Sequence, residues 1–282
     1  MLKNKKSYCN TIFPAWLTIF LSTSLFSQQD TLKSYFQPLQ DVFQTDLVYP
    51  QEKNEVQLSI VPEFQRSGDY DHLQFLFMAE YGLTDMWQIE FGWNLFQKRF
   101  IEFEPSVSGT GDIEIGTQYS FMNIANTDFH TAISFEVSIP LGNEDKGLGE
   151  GLWEYEPCFL VALDLPSLNN TQFFTQVGIG LVRNESKDKS GNEESESHEI
   201  HLNCGIFVPF GKVIFTTELN LQSDKWNGGD ENQLYLTPGF VFNLPVDWET
   251  GVGMPVGLNK QSDKFRIMAI LTYEFNLAKD ND

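Results

Sequence analysis

The residues best suited to chemistry in this chain are carboxylates and histidines at short, regular spacings. Glutamates recur at Glu63, Glu80, Glu90, Glu114, Glu136, Glu156, Glu199, Glu218, Glu249 and Glu274, most of them between apolar or aromatic neighbours. Rings of Asp and Glu of this kind attract cations in pores. His198-x-x-His201 has the outline of a metal pair, and Gly147, Gly149 and Gly151 that of a phosphate loop. Both outlines weaken on a strand map. Positions three apart on a strand point to opposite faces, so only Glu199 and His201 share a side. Two ligands fall short of the three or four of a zinc site, and no metal or cofactor is expected. The glycine run lacks the spacing and following helix of a phosphate loop, and is expected to be a flexible loop. The four histidines and the serines allow a hydrolase by composition. A nucleophile needs a base within hydrogen-bond reach, and no motif nominates one, so no catalytic residue is assigned.

The elements that must position these groups are strands. From Asn54 onward the chain alternates apolar and polar residues with period two, and no long 3.6-residue period is present. In one segment Trp87, Ile89, Phe91, Trp93 and Leu95 oppose Gln88, Glu90, Gly92 and Asn94; near the end Phe265, Ile267, Ala269, Leu271 and Tyr273 oppose Arg266, Met268, Ile270, Thr272 and Glu274. The pattern predicts twelve strands, at 54–66, 72–82, 86–96, 112–121, 129–140, 154–164, 171–183, 198–208, 212–222, 232–243, 247–257 and 264–275. Strands of ~10–12 residues exceed the globular mean of ~5–6 and match the ~9–11 of a tilted bilayer-crossing strand. Short connections alternate with mostly longer polar ones at 97–111, 141–153, 184–197 and 223–231. That alternation and the even count define an all-β, closed antiparallel transmembrane β-barrel with short periplasmic turns and longer external loops. A soluble sandwich with its acidic face in water stays open as the alternative. Pro62 and Pro238 fall inside strands, where bulges or bends are expected.

Residues 1–27 read as a cleavable signal peptide: Lys3, Lys5 and Lys6, then an apolar run from Ile12 to Phe26 and small residues up to Ser27. Residues 28–53 are expected to be a periplasmic lead-in segment, with 54–282 as the barrel. The leader takes three of the 18 basic residues and none of the 39 acidic ones, so the mature charge falls near −24. That excludes nucleic acid as a partner, since phosphate binding requires clustered Lys and Arg. Cys158 and Cys204 map to strands two apart, about 9 to 10 Å, beyond disulfide reach, and are read as free thiols.

Three stretches occur in a recognisable order: Tyr81-Gly82-Leu83-Thr84-Asp85-Met86-Trp87-Gln88-Ile89, Gly109-Thr110-Gly111-Asp112-Ile113-Glu114-Ile115-Gly116, and Ile139-Pro140-Leu141-Gly142-Asn143-Glu144-Asp145-Lys146-Gly147-Leu148-Gly149. Together they resemble the outer-membrane barrel family named for the phenol-degradation meta-pathway, often described as transporters. The resemblance implies a barrel fold and a transport role, and it brings no catalytic residue. Physically, Gly82 and Asp85 read as turn chemistry, through positive φ and side-chain bonds to nearby amides.

With the apolar parity toward lipid, the other parity lines the lumen. Strand direction then sets Glu63, Glu114, Glu136, Glu156, Glu199 and Glu218 in the outer half, with Lys264 and Arg266 at similar height and Arg266 paired to Glu63 across the closing seam. The expected function is an outer-membrane channel or transporter for small, apolar or aromatic solutes, with an acidic outer lumen. An outer-membrane lipase or protease, or a non-transporting ligand-binding or adhesion barrel, stays open as the alternative. Expected partners are outer-membrane lipid, the barrel-assembly machinery, periplasmic chaperones and a small-molecule solute; the expected location is the bacterial outer membrane.

Overall fold

The structure, a computed structural model, describes residues 42–68, 70–101, 103–183, 198–223 and 232–277. The leader at 1–27, the first part of the lead-in, and the acidic loop at 184–197 lie outside the described residues. Twelve spanning strands form one antiparallel sheet. They are β1 (Glu55–Arg66), β2 (Tyr70–Thr84), β3 (Trp87–Ile101), β4 (Ile113–Phe121), β5 (Phe129–Ile139) and β6 (Trp153–Leu165), followed by β7 (Thr171–Arg183), β8 (His198–Phe210), β9 (Val213–Ser223) and β10 (Asn232–Asn243). β11 (Trp248–Gly253) breaks at Met254 and Pro255 and resumes at Val256–Gly257, and β12 (Phe265–Asn276) completes the set. Each strand pairs with its chain neighbours, and β1 pairs with β12, from Glu55 opposite Asn276 to Arg66 opposite Phe265. The sheet therefore closes and has no free edge, the condition for strands to cross lipid with every backbone group satisfied.

Burial alternates as the sequence pattern requires. On β5 Ile133 is 54% exposed, while its neighbours Ala132 and Ser134 are 0% and 7%. Trp87, Ile115, Phe159, Phe173, Leu219 and Ile267 continue this outward apolar belt. At the end carrying the short turns, Trp248 and Tyr273 stack with ring centroids 4.7 Å apart, and Tyr273 meets Phe275 at 5.6 Å. Aromatic girdles of this kind mark the boundary of a barrel's apolar band. Cys158 and Cys204 are both free, the first buried inside and the second exposed on the outer face.

Several local expectations need correction. Strand structure continues through Ile101, past the boundary expected at 96, because β2 and β3 form a long hairpin that rises beyond its neighbours. Along it the register slips: Phe75 faces Phe96 and Leu76 faces Asn94, so Leu95 is an extra residue. This bulge flips the parity of all that follows and turns Gln97 inward. Pro62 causes no bulge in β1. The pairs with β12 lapse at 61 and 62 and resume in the same register. Opposite Pro238, the accommodation is the break in β11, where the Met254 amide bonds the Pro238 carbonyl at 3.0 Å.

Candidate functional site: a two-storey barrel lumen

The half of the lumen nearer the short turns is filled, and residues 42–53 of the lead-in fill it. Glu218, on β9 and 1% exposed, accepts hydrogen bonds from the Phe43 amide at 2.9 Å, the Gln44 amide at 3.0 Å and the Thr45 hydroxyl at 2.7 Å. Gln118 donates to the Leu47 carbonyl at 2.9 Å, and Asn203 to the Gln44 carbonyl at 3.0 Å. Gln176 bonds Asp46 twice, accepting from its amide and donating to its carboxylate. Nearer the turns, Tyr49 and His130 converge on Asp164 at 2.8 Å and 3.0 Å. Apolar contacts reinforce this polar net. Val42, Phe43, Leu47 and Val48 pack against Val61, Leu160, Phe207, Ile214, Met268 and Ile270. Met268 and Ile270 occupy the lumen parity, where polar residues are the rule, and Phe43 and Val42 are what they bury against.

Two glycines mark the fit. A Cβ on Gly239 would lie 2.1 Å from the Phe43 ring and one on Gly253 2.5 Å from it, so the ring sits in a hollow that only glycine leaves open. Gly82 serves the same end, contrary to its expected role in a turn. A Cβ there would stand 1.9 Å from the Glu52 carbonyl oxygen, and its own carbonyl receives the Asn54 amide at 2.8 Å. Asp85 likewise caps the Lys53 amide at 3.1 Å instead of bonding within its own turn.

The half nearer the longer loops holds an open vestibule of about 570 Å³. Its lining includes Glu63, Glu114, Glu136 and Glu156 together with Asp112, Glu150 and Glu154, against Arg99, Arg266 and His72. A second space of about 280 Å³ lies between the vestibule and the lead-in, walled by Val42, Phe43, Leu76, Met78, Met268 and Ile270 on one side and by Glu80, Gln88, Glu90 and Glu114 on the other. A third, about 190 Å³, adjoins Asp46, Cys158 and His201. Glu136 lines all three, so each borders this residue.

Of the residues singled out in the sequence, the structure thus gathers Glu63, Glu114, Glu136, Glu156 and Arg266 in the vestibule. Glu218 does not reach it, being engaged with the lead-in. Glu199 faces Glu154 and His201 on an adjacent stretch of wall, and Lys264 is exposed at the rim, before β12 begins. Arg266 makes no direct bond to Glu63, although the two opposite charges act on one another across the seam. The register sets Arg266 opposite Gln65 and Glu63 opposite Met268. The guanidinium bonds Asp263 at 2.8 Å and the Tyr235 hydroxyl at 3.1 Å, and it lies 4.8 Å from the centre of the Tyr235 ring. Sequence reasoning missed Gln97 and Arg99, because the bulge at Leu95 had to be known before their side could be read, and it missed Tyr70 because β2 begins two residues before the boundary expected at 72. Arg99 stacks on Tyr70 at 4.1 Å and donates to the Gly147 carbonyl at 3.2 Å.

That last contact belongs to a latch. Asp112 is buried, and its two oxygens accept the Gly142 amide at 2.7 Å and the Glu150 amide at 2.8 Å. The 140–152 loop, expected to be flexible, is thereby drawn against the vestibule, with Leu148 only 1% exposed. The two glycine-rich motifs of the sequence are the two sides of this latch.

A closed twelve-stranded transmembrane barrel whose lumen is acidic at one end and packed by its own N-terminal segment at the other defines the class of protein. The chain belongs to the family described as "Putative MetA-pathway of phenol degradation", whose model matches residues 70–269. No curated protein matches the sequence. Among solved structures, an outer-membrane channel from Pseudomonas putida F1 is similar at 12% identity and a TM-score of 0.61, covering 83% of this chain and all of that one. The NanC porin follows at 8% identity and 0.54, covering 78% and 98%. The KdgM porin, solved with a disordered oligogalacturonate, stands at 9% and 0.50, covering 78% and 99%. At these identities the likeness establishes the fold.

Proposed function

We propose that this barrel is an outer-membrane channel for small, apolar or aromatic solutes, with its longer loops outward and its short turns in the periplasm. The observation that carries this reading is the sequence of spaces bordering Glu136: an acidic vestibule first, then a pocket with one apolar wall. The charged entrance favours cationic or neutral solutes over anions, because low-dielectric walls focus the field of its carboxylates. The pocket below suits a small apolar body, since burying apolar surface contributes about 25 cal/mol per Å². Membership in a family described by phenol degradation supports the same solute class, and the similar outer-membrane channel supports the role. Export on a cleaved leader at 1–27, followed by periplasmic chaperones and insertion by the barrel-assembly machinery, completes the proposal. Single-channel recording in planar bilayers tests it. The expected result is a small, cation-preferring conductance reduced by an added phenol-class solute. Absence of any conductance overturns the channel reading, and anion preference overturns the role of the vestibule.

A further inference from the structure

On a strand, Glu199 and His201 offer two ligands and no more. The fold supplies a third. Glu154, from β6, reaches across β7 to the same spot, and one ligand atom from each of the three residues lies within 4.8 Å of the others. What lets it reach is Gly180 on the intervening strand. A Cβ there would lie 2.1 Å from Glu154 Oε1 and 3.2 Å from Glu199 Cβ, so any side chain would keep the two carboxylates apart.

We propose that Glu154, Glu199 and His201 form a binding site for a divalent transition-metal cation of the zinc class on the vestibule wall. Three observations support the assignment. The His201 Nε2 atom is buried and makes no well-aligned hydrogen bond, its polar neighbour being a carboxylate at loose ion-pair distance, an arrangement that leaves room for a cation between them. That nitrogen stands 3.4 Å from Glu199 Oε2. In a tetrahedral site with metal–ligand bonds of about 2.1 Å, adjacent ligand atoms are separated by about 3.4 Å, so this pair already has the spacing of one coordination edge. Finally, Gln222 donates to Glu199 Oε2 at 3.2 Å and orients the carboxylate from behind, as the supporting shell of a metal site does.

The donor set selects the ion. One imidazole and two carboxylates suit zinc and its neighbours, whereas magnesium and calcium demand six or more oxygen ligands. Glu154 faces the vestibule and His201 the smaller space beneath it, so the ion is reachable from outside and its remaining positions are left to water or solute. Bound there, it would neutralise part of the negative charge on that wall.

Titration of the purified full-length barrel in detergent with zinc chloride, followed calorimetrically, tests the site without requiring solute flux. A failed channel assay therefore leaves the result intact. The expected outcome is one zinc ion per barrel with micromolar affinity and at least a hundredfold preference over magnesium. Glu154→Gln and His201→Asn should each weaken zinc at least tenfold, and Gly180→Ala should weaken it while retaining all three ligands. Glu63→Gln, a vestibule carboxylate outside the site, should change it less than twofold. Heat-modifiable migration on a gel verifies that each variant is folded. Binding unaffected in folded Glu154→Gln and His201→Asn overturns the site, as does an equal loss in Glu63→Gln or no zinc binding below 100 µM (on the order of a Kd worth about 5.5 kcal/mol).

Discussion

The two ends of the lumen use the same residue type to opposite effect. Near the loops, Glu114, Glu136 and Glu156 line an open space with few cationic neighbours. Near mid-height, Glu218 is fully enclosed and receives three donors from one stretch of lead-in. A carboxylate that lines an open space acts on solutes at a distance, while an enclosed one is held by hydrogen bonds, and those bonds then fix whatever donates them. The upper carboxylates are therefore a field, and the lower one is an anchor. One strand parity produces both, and the lead-in decides which is which.

Removing the anchor should break this contrast most severely. Glu218→Ala leaves two backbone amides and a hydroxyl without their acceptor, at about 1.5–3 kcal/mol for each charged hydrogen bond lost. The expected result is release of the lead-in, seen as a several-fold rise in conductance and new protease cleavage between 42 and 53, with the barrel still folded. Next in size is Gly239→Ala, whose methyl group would overlap the Phe43 ring. Overpacking of this kind costs about 1–3 kcal/mol. Thermal unfolding should register the loss, and pairing the change with Phe43→Leu should recover part of it. Smaller still in its effect on the barrel is Asp112→Ala, whose two lost amide-to-carboxylate bonds, at about 1.5–3 kcal/mol each, bear on the 140–152 loop alone. Limited proteolysis should then cut the 140–152 loop, with little change in global unfolding. The smallest effect on stability belongs to the field. Glu114→Gln combined with Glu136→Gln should leave unfolding nearly unchanged while the reversal potential under a salt gradient moves toward zero. If that pair proved as destabilising as Glu218→Ala, the distinction between field and anchor would collapse.

The barrel was largely legible in the sequence, because a period of two repeated over twelve segments is a redundant signal. Strand number, closure and lipid-facing parity all follow from it. The lumen was legible only where the period holds. One extra residue at Leu95 reverses the parity, so Gln97 and Arg99 looked like loop and are wall. Glu218 and Glu114 read alike, since nothing local to a strand records that a segment 175 residues away will bond one and not the other. The apolar residues at Met268 and Ile270 were the available clue. They break the polar habit of the lumen face at the level where Phe43 lies. Gly180 carried no signal either, because its use is to be absent from the space between two other strands.

The lead-in also constrains the order of assembly. It is synthesised before any strand, and while Gln51 bonds the nearby β1, β2 and β3, the partners of residues 43–47 lie on β4, β7, β8, β9 and β10. Contacts so distant in sequence carry a loop-closure cost and form late. The last strand then seals against the first, after which a segment with side chains as large as Phe43 and Tyr49 has no wide entrance at the turn end. The wall must therefore curl around a segment made before it, so that residues 42–53 become the mandrel on which the cylinder is wound.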